Sequence, residues 1–61
     1  MEDKSIAVAE FQDDDGVTAL LIHQLNPETY YAVFDTAKVT KGFKTLDELK
    51  KFLMSIGFQE I

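Results

Sequence analysis

Only one stretch of this chain carries a start signal, a repeat period and a stop signal for the same element, and it lies in the C-terminal third. Thr45-Leu46-Asp47-Glu48 has the form of a capping box, in which the Thr45 hydroxyl accepts from the Glu48 amide and the Glu48 carboxylate reaches back to the Thr45 amide. Asp47 and Glu48 stand where a helix dipole favours negative charge, and Lys50 and Lys51 follow. Leu46, Leu49, Phe52, Leu53 and Ile56 fall on one helical stripe. Gly57 supplies a left-handed stop, after which Phe58 can fold back onto the last turn. One helix starting at Leu46 is expected, and whatever precedes it must supply the surface that its stripe covers.

The preceding residues read as strands. Ser5 to Phe11 alternates imperfectly, and Val17 to Leu25 is rich in branched apolar residues. Between them, Gln12-Asp13-Asp14-Asp15-Gly16 has the Asx residues and the glycine of a short hairpin loop. Asn26-Pro27-Glu28-Thr29 places Asn and Pro at the first two positions of a type I turn, and Tyr30 to Thr36 is the next strand. Lys38 to Phe43 is a possible fourth, with the glycine and lysines of an edge. The expected fold is α+β: an antiparallel meander of three or four strands packed on one C-terminal helix, as a single domain over residues 1–61. A chain of this length buries only about 60% of its unfolded surface and is expected to be marginally stable.

One helix covers one face of a sheet, yet these strands are apolar on both. Val17, Ala19, Leu21 and Leu25 alternate with Leu20 and Ile22, and Tyr30, Ala32 and Phe34 alternate with Tyr31 and Val33. A half-solvated sheet reads apolar on one face and polar on the other, so a second apolar face needing cover is expected. Large exposed apolar patches mark interfaces. With no cysteine and no metal cluster to brace a small core, a homodimer is the expected staple.

Charge narrows the partner. The net charge of −5 divides into −7 over residues 1–35 and +2 over residues 36–61, and every basic residue is lysine. An acidic end and the absence of arginine disfavour direct nucleic-acid binding. They suit a protein with a basic surface, met by Asp13, Asp14, Asp15, Glu10 and Glu28, with Tyr30, Tyr31, Val33 and Phe34 as apolar anchors. The concrete form of this reading is an inhibitor or modulator occupying the nucleic-acid site of its partner, as small acidic proteins of phage or mobile elements can. Two alternatives stand beside it: a homo-oligomeric structural or accessory protein, and, more weakly, single-stranded nucleic-acid binding through Lys38, Lys41, Lys44, Lys50 and Lys51 with the aromatic residues.

Catalysis is not expected. Aligning Gly16 with the invariant glycine of a calcium loop puts Phe11 at the first ligand position and Ile22 at the last, so two essential ligands fail. His23 has no cysteine to activate and no second histidine with which to share a metal, and is read as a hydrogen-bonded structural residue. Ser5 and Ser55 lack a nucleophile-elbow context. The three glycines are too far apart to cradle a phosphate. No cofactor is expected. No apolar run reaches the roughly 18 residues of a membrane span, and the acidic Met1-Glu2-Asp3-Lys4 is unlike a signal peptide, so a cytoplasmic protein is expected.

Overall fold

A computed structural model describes residues 4–25 and 27–61. Strands β1 (Ser5–Gln12), β2 (Thr18–Leu25) and β3 (Glu28–Phe34) form an antiparallel meander, followed by helix α1 (Leu46–Ser55) and a two-residue strand β4 (Gln59–Glu60). The sheet order is β3-β2-β1-β4. The expected meander on a C-terminal helix is therefore present, with one addition: the chain returns after the helix to pair with β1.

The sheet's inner face alternates large and small residues across the strands. Phe11 pairs with Ala19 and Ala19 with Phe34, while Ala9 pairs with Leu21 and Leu21 with Ala32. Helix residues Leu49 and Leu53 reach 0% exposure beside Ala19 and Ala32 in one buried cluster with Phe11, Leu21 and Phe58. Each fully buried leucine contributes about 1.5–3 kcal/mol. Of the expected stripe, Leu46 is half-buried, whereas Phe52 and Ile56 lie at its exposed margin.

The helix termini follow their signals in part. Thr45 Oγ1 accepts from the Glu48 amide at 3.1 Å, but the return bond of a full capping box is not formed among the described residues. At the other end Gly57 takes φ 98°. Its amide donates to Met54 O, and the Phe58 amide to Leu53 O at 3.0 Å, the two bonds of a Schellman motif. That reversal drives Phe58 into the core and sets Gln59 and Glu60 beside Gln12 and Phe11.

Strand β3 begins two residues earlier than its β propensity suggests. Glu28 and Thr29 pair with Leu25 and Gln24, so the ladder with β2 overrides the weak strand preference of Glu28 and takes Thr29, a strand former, out of the expected turn. This leaves two positions for the turn, of which Asn26 lies outside the described residues. Residues 38–43 run along the outer edge of β3 without forming a regular strand, joined by single bridges at Val33–Val39 and Tyr30–Phe43. Between those bridges the Ala32 amide donates to Thr40 Oγ1, a side chain standing in for a ladder carbonyl. Gly42 is needed there because a Cβ would lie 2.5 Å from Thr29 Oγ1.

Candidate functional site: the uncovered sheet face

The face of the sheet away from the helix has two apolar rows. Ala7 pairs with Ile22 and Ile22 with Tyr31; in the next row Glu10 pairs with Leu20, Leu20 with Val33, and Val33 bridges to Val39. Period-two alternation puts Glu10 and the β2 and β3 residues opposite Leu21 and Ala32, and the bulge between Ala7 and Ala9 turns Ala7 to the same side. Leu20 is 39% exposed and Val39 60%, while Ile22, Tyr31 and Val33 are half-buried by one another. No described element lies over them.

At one end of this face is a depression of about 260 Å³ lined by Glu10, Thr18, Leu20, Val33, Phe34 and Asp35. Leu20 and Val33 make an apolar floor, with Glu10 on the β1 flank and Asp35 just past β3 on the other. Among the described residues the ion pairs are Lys50–Glu60 and Lys51–Asp47, and His23 is hydrogen-bonded to Glu28, so neither Glu10 nor Asp35 has a cationic partner there.

The anticipated contact residues divide between locations. Tyr31 and Val33 are on the uncovered face, but Tyr30 and Phe34 point to the helix side and pack against the core. Asp13, Asp14 and Asp15 occupy the β1–β2 turn, at the same end as Glu10 and Asp35. Glu28 stands at the opposite end of β3, which spans 7 residues, a separation of roughly 20 Å. Glu28 there bonds the His23 Nε2 at 3.1 Å. The acidic end therefore loses Glu28 and gains Asp35 and Glu60, the latter paired across from Phe11.

Within the triple-aspartate turn the three side chains differ in role. Asp13 Oδ1 accepts from the Asp15 amide at 3.0 Å and from the Val17 amide at 2.8 Å, an Asx turn closing the hairpin. Asp14 and Asp15 are exposed. His23 is held by its bond to Glu28 and by Tyr30, on which its ring stacks with centroids 4.3 Å apart and 9° between planes.

The lysines gather elsewhere. Lys41, Lys44 and Lys51 line an open depression of about 500 Å³ with Gly42, Phe43 and Glu48. Lys51 is engaged by Asp47 at 3.3 Å, and Lys41 sits 5.4 Å above the Phe43 ring. The aromatic rings are occupied by one another: Phe43 against Phe52, Phe34 against Phe58 and Tyr30 against His23. Tyr31 alone among them is on the uncovered face. The described residues hold no group of three or more His, Cys, Asp or Glu placed to bind a metal ion, and no helix among them is long and apolar enough to cross a membrane.

Asp35 and Thr18 were not anticipated as site residues. Asp35 keeps the parity of Tyr31 and Val33, so the alternation of the expected strand Tyr30 to Thr36 already puts it on their face. Thr18 is recognisable only from the β2 register.

No protein-family model, curated protein or solved structure matches the chain.

Proposed function

We propose that this domain is a small non-catalytic protein-binding module whose uncovered sheet face meets a basic surface of another protein. The observation that carries this reading is the double row formed by Ile22–Tyr31 and Leu20–Val33, apolar in the middle and bounded by carboxylates at one end. A half-buried tyrosine among branched side chains is the kind of anchor that dominates interface energies. The surrounding negative charge favours encounter with a cationic partner and disfavours a polyanion. Engagement of the other rings with one another, Tyr30 stacked on His23 and Phe34 and Phe43 tilted against Phe58 and Phe52, further supports protein over nucleic acid, because a base platform needs free ring faces.

The test places a photo-crosslinking phenylalanine at Tyr31 and, separately, at Met54, which is 55% exposed on the helix. Tyr31 is expected to capture one partner that Met54 does not. With that partner purified, affinity should fall as salt rises, and Tyr31→Ala should weaken it about tenfold or more. Equal capture from both positions, with no loss of affinity in Tyr31→Ala, would remove the face from consideration.

A second reading, a homodimer, has its own support. The outer edge of β3 is covered by residues 38–43, and β4 covers β1 only near Phe11 and Gln12. Among the described residues the stretch Ser5–Ala9 of β1 pairs on one side alone and carries no charge, with the bulge between Ala7 and Ala9 as its guard, and a strand edge open to solvent is a template for a further strand. Light scattering across a hundredfold dilution, about the range separating tight from weak dimers, tests it: a monomeric mass throughout rejects self-pairing.

A further inference from the structure

We propose that the depression between Glu10 and Asp35 is a subsite for a single arginine side chain of the partner protein. This rests on the protein-binding reading and adds to it the chemistry of the group recognised. At about 260 Å³ the depression falls below the roughly 300–1,000 Å³ typical of small-molecule pockets. It is the size for one side chain. Its floor is apolar, with Leu20 39% exposed and Val33 beside it, which matches the methylene stem that long cationic side chains lay along apolar surface.

Its charge is one-sided. Glu10 and Asp35 both line it, no lysine or histidine does, and neither carboxylate is engaged in an ion pair among the described residues. The Thr18 hydroxyl adds a neutral acceptor. Acceptors on separate strands suit a planar group whose donors point in several directions. Guanidinium has five such donors and sheds water more readily than ammonium. An anion is repelled from the site, and a neutral side chain gains nothing from the two exposed carboxylates at its rim. Asp14 and Asp15, exposed at the same end, add to the field that draws a cation in.

The experiment titrates the 15N-labelled chain with N-acetyl-arginine methylamide, N-acetyl-lysine methylamide and the neutral N-acetyl-citrulline methylamide, following amide shifts. The expected result is saturable shifts centred on Glu10, Thr18, Leu20, Val33 and Asp35, with citrulline binding about tenfold more weakly for loss of its charge-assisted bonds. Glu10→Gln combined with Asp35→Asn should weaken the arginine probe by a similar factor while the spectrum keeps its dispersion; Glu10→Gln alone serves if the pair perturbs folding. Shifts centred on Asp14 and Asp15, or citrulline binding as tightly as arginine, overturn the subsite. Lysine binding as tightly as arginine overturns the choice of guanidinium. These outcomes are independent of Tyr31 crosslinking, so the subsite can fail while the interface stands, and the interface can fail while the subsite binds its probe.

Discussion

Asp13 accepts the backbone amide of Val17 at 2.8 Å and so locks the turn between β1 and β2 from inside. A second bond, from the Asp15 amide, uses the same oxygen. Replacing all three aspartates together would thus combine a loss of turn geometry with a loss of surface charge. Asp13→Ala is expected to cost about 1–2 kcal/mol, since hydrogen bonds to charged groups contribute about 1.5–3 kcal/mol before solvent exposure reduces them. Asp14→Ser and Asp15→Ser should each stay within about 0.5 kcal/mol of the parent. Urea unfolding of the single variants measures both.

The two faces of the sheet should respond differently to the same substitution. Leu53→Ala empties a site at 0% exposure and is expected to cost about 2–5 kcal/mol. A domain of this size has about 3–9 kcal/mol in total, so that variant should lose a large share of its stability, with a thermal midpoint by circular dichroism lower by about 10 °C or more. Leu20→Ala, on the uncovered face, should cost about 1 kcal/mol or less, its side chain being 39% exposed. Equal losses at the two positions would mean that Leu20 is covered in solution.

Two positions with left-handed backbone carry opposite expectations. Gly57 has φ 98° and open space where a Cβ would stand, so Gly57→Ala should destabilise through the backbone alone, by about 1–2 kcal/mol. Ala37, at φ 71° in the turn after β3, already bears that cost. Ala37→Gly should therefore raise the urea midpoint, the relief of about 1 kcal/mol being partly offset by the greater freedom of glycine in the unfolded chain.

Gly42 and Thr29 should be coupled. A methyl group at position 42 meets Thr29 Oγ1 at 2.5 Å, and the displacement would loosen the segment whose Phe43 carbonyl accepts the Tyr30 amide at 2.9 Å. Gly42→Ala is expected to cost about 1–3 kcal/mol. Thr29→Ala in the same chain should recover part of it, giving a favourable coupling in a double-mutant cycle. Hydrogen exchange at the Tyr30 amide should rise in the single variant and fall back in the double.

Much of the fold was legible because its signals are local. The Thr45 cap, the leucines of α1 and the Gly57 stop each act within a few residues, and each appears where its chemistry places it. The Lys38–Phe43 stretch was less legible. Whether it forms a ladder depends on a close approach to Thr29 and on Thr40 substituting its hydroxyl for a carbonyl, contacts between residues far apart in the chain. Strand β4 was invisible for the same reason: two polar residues pair only because the helix's end delivers them to β1.

By itself the sequence determined the class of fold, the position of the helix and the presence of apolar residues on both faces of the sheet, since composition and periodicity are properties of neighbouring residues. It also determined the net charge and its uneven spread along the chain. Only the tertiary structure decided which of those residues share a surface. Strand pairing separated Tyr31 and Val33 from Tyr30 and Phe34, moved Glu28 away from the triple-aspartate turn, and brought Glu10 and Asp35 to the two flanks of one apolar floor. The physical reason is that alternation assigns a side chain to one of two faces, whereas register between strands determines which side chains on a face are neighbours.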